Sequence, residues 1–222
     1  MAQTYCLSPS SLSLMKECPR CFWLHFHDKK RPEGIFPSLP NGMDNILKKH
    51  FDKFRDRGEL PPELSGNKEC IGCRLFDDKK LINIWRSNLE GVKWEDKNGN
   101  ILRGAVDNIL IKGNKLIVLD YKTRGFPLKD NTHEFYQNQL DLYNFLLRKN
   151  GYETEDYAFL LFYVPKEVLE TGEVIFDAVL KKIEINVKNA EQIFEEALII
   201  LNGPCPSKDC GEGCEWCNLL AE

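Results

Sequence analysis

The sequence predicts an α/β (α+β) fold, a mixed central β-sheet flanked by helices, in a single domain over residues 1–222. Three observations predict it. Strand-like alternation fills residues 92–123 and returns over 157–185. Helical spacing of apolar residues occupies 41–57, 133–149 and 189–201. The resulting order, helix, strands, helix, strand, strand, helix, suits a sheet covered by helices.

Along the chain, Ser10 or Ser11 is a candidate cap for a short helix carrying Leu12 and Met15, which Pro19 then interrupts or re-aims. Arg31–Pro40 is Pro-rich and reads as a loop. Asn41–Arg57 places Ile46, Leu47, His50, Phe51 and Phe54 at helical intervals. Gly58–Gly72 reads as a polar loop, and Ile82–Leu89 as a short helix with Ile84 or Trp85 inward. Val92–Asp96, Ile101–Ile111 and Lys115–Thr123 form an antiparallel meander with turns at Asn98–Gly99 and Gly113–Asn114. His133–Lys149 is an amphipathic helix closed by Gly151. Tyr157–Val164 and Val174–Ile185 are strands, and Asn189–Leu201 is a helix ending at Gly203.

Composition narrows the function. With 42% apolar residues, 13 Phe, 7 Tyr and 4 Trp, the chain of 222 residues can pack a sizeable core. No apolar run approaches the roughly 20 residues of a membrane span. The start lacks a basic segment followed by an apolar one, so a cytoplasmic location is expected. The net charge of −4 excludes an overall basic field, so nucleic acid would have to be met at one cleft or through bound metal ions.

The stretch GAVDNILIKGNKLIVLDYKTR, residues 104–124, sets charge among apolar residues. If Gly113–Asn114 is a two-residue loop, Lys112 faces Lys115, and Asp107 faces Asp120. Facing residues have β-carbons about 4.5–5.5 Å apart. Asp120 and Lys122 share a face with Leu116 and Val118, since side chains alternate. Two carboxylates about 5 Å apart repel by roughly 3 kcal/mol at an effective dielectric of about 20. A divalent cation offsets that repulsion, and hard oxygen ligands suit Mg²⁺ or Mn²⁺. A lysine beside them can orient a water or stabilise charge on a phosphate. A structural Asp–Lys–Asp arrangement on a solvated face is the plainer alternative; the flanking Ile117, Val118, Leu119 and Tyr121 argue for burial instead.

The nine cysteines are clumped: Cys18/Cys21, Cys70/Cys73, then Cys205, Cys210, Cys214 and Cys217, with Cys6 alone. Cys18/Cys21 and Cys214/Cys217 are C-x₂-C pairs near opposite ends, the spacing of tetrahedral thiolate sites. Together they would clasp residues 18–21 to 205–217 around Zn²⁺ or an iron–sulfur cluster, with Cys205 and Cys210 as alternative ligands. Cys70, Cys73 and Cys6 read as unliganded.

These residues resemble the PD-(D/E)XK nuclease superfamily, in its RecB-like branch. GAVD followed by LDYKT is similar to the central motifs, and SPSSLSLMKECPRCFWL to the S-x-S-x-L…CP-x-x-F motif. Gln139–Tyr143 is similar to Q-x-x-x-Y, and the terminal cysteines to the cluster of iron–sulfur relatives. The resemblance spans residues 8–217. It implies a restriction-endonuclease-like sheet and Mg²⁺ held by Asp107 and Asp120, joined by the carbonyl of Tyr121. It also implies that Lys122 assists the attacking water and that Gln139 and Tyr143 face nucleic acid. In iron–sulfur relatives one ligand lies near the start and three near the end, so Cys18 with Cys210, Cys214 and Cys217 is a second ligand set. The family's G-x-x-x-H is not matched, since Ile46 follows Gly42 at that interval; His50, one turn on, is the candidate metal ligand from the first helix, with Asp44 a poorer one. The implied activity is metal-dependent hydrolysis of DNA, at ends or on single strands, in repair, recombination or defence. A catalytically weak DNA-binding or scaffold module of the same fold is the alternative. No helicase motif is present, so a helicase or a repair or defence complex is an expected partner.

Overall fold

The structure is a computed structural model and describes residues 3–27, 29–31, 37–207, 214 and 216. Residues 32–36 of the expected Arg31–Pro40 loop, and Cys210 and Cys217 of the expected clasp, lie outside the described residues.

The chain opens with β1 (Cys6–Leu7), then α1 (Pro9–Glu17) and α2 (Pro19–Phe26). The cap of α1 is Ser8, upstream of the two serines expected: its hydroxyl accepts from the Ser11 amide while the Ser8 amide donates to the Ser11 hydroxyl. Pro9 then occupies the first helical turn, where its missing N–H costs nothing. Cys18 ends α1 and caps α2.

Next come α3 (Ser38–Arg57), the single turn α4 (Pro62–Ser65), β2 (Cys73–Leu75) and α5 (Lys79–Trp85). The segment Gly58–Gly72 is thus more structured than a plain loop, and α5 both starts and stops earlier than expected, with Trp85 inward. Then follow β3 (Val92–Glu95), β4 (Ile101–Gly104), β5 (Asn108–Lys112), β6 (Lys115–Thr123), α6 (Gln137–Lys149), β7 (Tyr157–Val168), β8 (Val174–Glu184) and α7 (Val187–Asn202).

Two sheets form among the described residues. One has the order β1-β4-β3, the other β2-β5-β6-β7-β8. In the larger sheet β6 and β7 are parallel, with α6 in the connection, and the remaining pairs are antiparallel. The single strand expected over Ile101–Ile111 is therefore two strands in two sheets. The break at residues 105–107 has a physical cause in the end of α5: the Val106 amide donates to the Trp85 carbonyl at 3.0 Å, and Arg86 Nε donates to the Asp107 carbonyl at 2.7 Å. Backbone groups satisfied there cannot pair with a neighbouring strand.

The strands β5, β6 and β7 are apolar on both faces, as strands covered on both sides must be. Val118, Ile109, Leu160 and Phe162 face α6 and α7, whereas Ile117, Leu119, Tyr121 and Leu161 face α3 with Leu47 and Phe51. Among the described residues no helix is long and apolar enough to cross a membrane.

Candidate active site and thiolate clasp

The hairpin register is the one expected. Lys112 pairs with Lys115 across Gly113–Asn114, and the ladder runs up to Asn108 opposite Leu119. Gly113 has φ 58°, a left-handed value glycine takes without penalty. Beyond Asn108 the strand gives way to a bend, so Asp107 meets β6 by its side chain: the Tyr121 amide donates to Asp107 Oδ2 at 3.0 Å. Asp107 is thereby held beside Asp120.

Asp120 is buried on the α6 side of the sheet, and Lys122 Nζ stands 2.5 Å from its Oδ2. The two form an ion pair. Burial pushes the Asp120 carboxyl up to about 7; the Lys122 ammonium opposes that rise and the Asp107 carboxylate adds to it. Burial disfavours the charge on Lys122, but Asp120 and Asp107 outweigh it and hold the ammonium's pKa above the ordinary value.

Lys122 also donates to Gln139 Oε1 at 3.1 Å, and Gln139 Nε2 donates to the Tyr143 hydroxyl at 2.7 Å. The four-residue interval puts both α6 side chains on one helical face. The Tyr136 ring lies 4.9 Å from Lys122 Nζ, a cation–π contact from the turn before α6. Gly104 allows Tyr143 to lie against β4: a β-carbon there would come 2.7 Å from Tyr143 Cε1. The structure therefore joins Asp107, Asp120, Lys122, Gln139 and Tyr143 in one connected group.

His50 is not part of it. Its Nε2 meets Glu63 at 3.1 Å and its ring packs on Phe54 at 5.0 Å, while Glu63 accepts from the Tyr163 hydroxyl at 2.8 Å. The cause is the rotation of α3. Leu47, Phe51 and Arg55 are its buried residues, and Ile46, on the side expected to face the site, is 63% exposed. On the other flank of the buried stripe Lys48 Nζ sits 2.7 Å from Asp44 Oδ2 and 3.4 Å from Asp107 Oδ1. Asp44, taken from the sequence as the poorer ligand because it points off the Ile46 face, is linked to Asp107 through Lys48.

Sequence reasoning also missed two arginines behind Asp107. Arg86 holds its carbonyl and binds both oxygens of Asp52 at 2.9 Å. Arg55, 6% exposed, bonds to Asp52, the Phe76 carbonyl and Asn108, and Asn108 in turn donates to the Tyr121 hydroxyl at 2.6 Å. The i, i+3 spacing of Asp52 and Arg55 was the one local signal.

At the chain's ends, the thiols of Cys18, Cys21 and Cys214 lie within 4.8 Å of one another, Cys21 and Cys214 at 3.5 Å. Tetrahedral coordination with metal–sulfur bonds near 2.3 Å needs sulfurs about 3.8 Å apart. The three thiols fit a soft metal, and they bring residues 18–21 against Cys214 of the terminal segment. Arg31 Nη2 donates to Cys214 Sγ at 3.1 Å. Cys205 takes a hydrogen bond from Arg20 at 3.3 Å and is outside that three-thiol group. Burial, together with Cys73 and Glu69, pushes the Cys70 thiol up to about 11, which keeps it neutral.

The family profile of the PD-(D/E)XK nuclease superfamily matches residues 44–221. No curated protein matches the chain. Among solved structures, the crystal structure of SSO0001 is similar over 98% of this chain and 84% of that one, with 15% identity and a TM-score of 0.47. The mixed sheet flanked by helices is the restriction-endonuclease-like arrangement of the matched family.

Proposed function

Because the chain belongs to the PD-(D/E)XK nuclease superfamily, we propose that it is a metal-dependent deoxyribonuclease cutting phosphodiester bonds at DNA ends or in single strands. The supporting observation is that two carboxylates of one hairpin, Asp107 and Asp120, converge beside Lys122. The donor set fits Mg²⁺ or Mn²⁺: it is made of hard oxygens alone, the Asp107 and Asp120 carboxylates with the Tyr121 carbonyl.

Asp107, Asp120 and the Tyr121 carbonyl would hold the ion, with Asp44 as the contribution of α3. Bound there, the ion would supply Lewis-acid stabilisation of the phosphate and lower the pKa of a water. The protein's own part is positioning. Lys122 keeps its proton against burial because two acids face it, so it presents a fixed positive charge to a phosphate oxygen. Gln139 accepts from Lys122 and restricts where that charge points; Tyr143 restricts Gln139. The Arg86 contact fixes the backbone of Asp107.

The test is incubation of the protein with labelled single- and double-stranded DNA and either ion, beside Asp120→Ala and Lys122→Ala. Cleavage should vanish with Asp120→Ala and fall by at least about 100-fold with Lys122→Ala. Binding without cleavage by the unaltered protein would instead support the catalytically weak module, for which Lys48 standing between two acids is the favouring observation.

A further inference from the structure

β1 stops at Leu7, opposite Leu102 of β4. One residue on, Ser8 turns the chain into α1, so the lane beside Arg103 and Gly104 is left without a third strand. A cavity of about 390 Å³ fills that lane. Its polar wall is made by Ser8, Ser10, Asn88, Arg103, Gln139 and Tyr143. The chain carries 34 acidic against 30 basic residues, yet this wall has one cation and no carboxylate. Such a hollow favours an anion where the molecule as a whole does not.

Arg103 is only partly committed. Its Nη1 donates to the Leu89 carbonyl at 2.5 Å, and among the described residues it makes no ion pair. A guanidinium has five N–H donors, so a second edge is left for an acceptor. Arg103 also lies directly opposite Lys93 in the β3–β4 ladder. Like charges so placed repel, and an anion between or beside them relieves the repulsion. The cavity is continuous in residues with the candidate active site, because Gln139 lines it and also accepts from Lys122.

We infer that this cavity is a subsite for a backbone phosphate of single-stranded DNA, adjacent to the phosphate that would be cut, with Arg103 as its charged anchor. Ser8, Ser10 and Asn88 supply neutral hydrogen-bonding groups, and Gln139 and Tyr143 mark the boundary with the cutting site. The choice of a DNA strand and its adjacency to the cut rest on the nuclease reading; the preference of the hollow for an anion does not.

The test is fluorescence anisotropy of a short labelled oligothymidylate with the full chain in EDTA, over a salt series, comparing Arg103→Ala and Arg103→Lys with the unaltered protein. Losing one phosphate contact on a single strand should lower the slope of log K against log salt by about 0.7. Arg103→Lys should retain most of the slope, and thermal melting of both variants reports whether the fold survives. If both variants bind with the unaltered slope and affinity, the subsite is overturned, even if the protein cuts DNA. If the slope falls in Arg103→Ala but the unaltered protein never cuts with Mg²⁺ or Mn²⁺, the subsite stands and the nuclease reading fails. If the unaltered protein does not bind the strand at all, the subsite is overturned.

Discussion

Asp107 and Tyr121 are joined at the open end of the hairpin, the Tyr121 amide donating to Asp107 Oδ2 at 3.0 Å. A side-chain oxygen does there what a strand carbonyl does further along. The same carboxylate thus closes the ladder with one oxygen and turns the other, Oδ1, towards Lys48. Asparagine can still accept from the amide but carries no charge. Asp107→Asn should therefore unfold in urea near the midpoint of the unaltered protein, whereas metal-dependent cleavage should drop sharply. Equal cleavage by Asp107→Asn across a Mg²⁺ titration would remove Asp107 from the metal site.

Asp44 and His50 make opposite predictions. Asp44→Ala should raise the Mg²⁺ concentration needed for half-maximal cleavage, since it removes a carboxylate beside Asp107. His50→Ala should leave cleavage within a few-fold and alter stability by about 1 kcal/mol or less, as for a partly exposed pair. The two metal titrations, run side by side, decide which α3 residue serves the site.

Arg55 is a stability prediction. Replacing it by leucine removes a donor from Asn108 and from the Phe76 carbonyl, while Asp52 keeps Arg86. Leaving buried acceptors of this kind short of a donor costs about 1–3 kcal/mol. The expected reading is a lower urea midpoint with an unchanged slope.

For the clasp, elemental analysis should find iron or zinc in the unaltered protein and much less in Cys18→Ser and Cys21→Ser. Anaerobic purification separates the two metals by colour, brown for an iron–sulfur cluster and none for zinc. A chelator that strips the metal should lower the melting temperature, because the site ties both ends of the chain together. Finding neither element would refute the clasp.

Cys70 predicts an alkaline limb. Its thiol is held at about 11 in the folded chain against 9.0 as the ordinary value. The stability it contributes is whole below about 9 and is lost as pH rises towards 11, since the unfolded chain sheds the proton first. Unfolding free energy measured from pH 8 to 11 should decline less steeply in Cys70→Ala than in the unaltered protein.

What could be read without coordinates was local. Gly113–Asn114 sets the loop length, loop length sets the register up to Asn108 opposite Leu119, and the Asp107 side chain then reaches β6 from the bend that follows. The four-residue interval puts Gln139 and Tyr143 on one face. The approach of Cys214 to Cys18 and Cys21 is in line with the spacing of the first C-x₂-C pair, while Cys217 of the second lies outside the described residues. Helix rotation was another matter. Leu47, Phe51 and Arg55 turn α3 so that Asp44 and Lys48, and not His50, approach the carboxylates. The parting of β4 from β5 likewise depends on where the end of α5 arrives to take their backbone groups. Turns and periodicities are short-range properties of the chain. Which side of a helix faces a site is settled by partners distant in sequence, through burial and hydrogen bonds that no local pattern encodes.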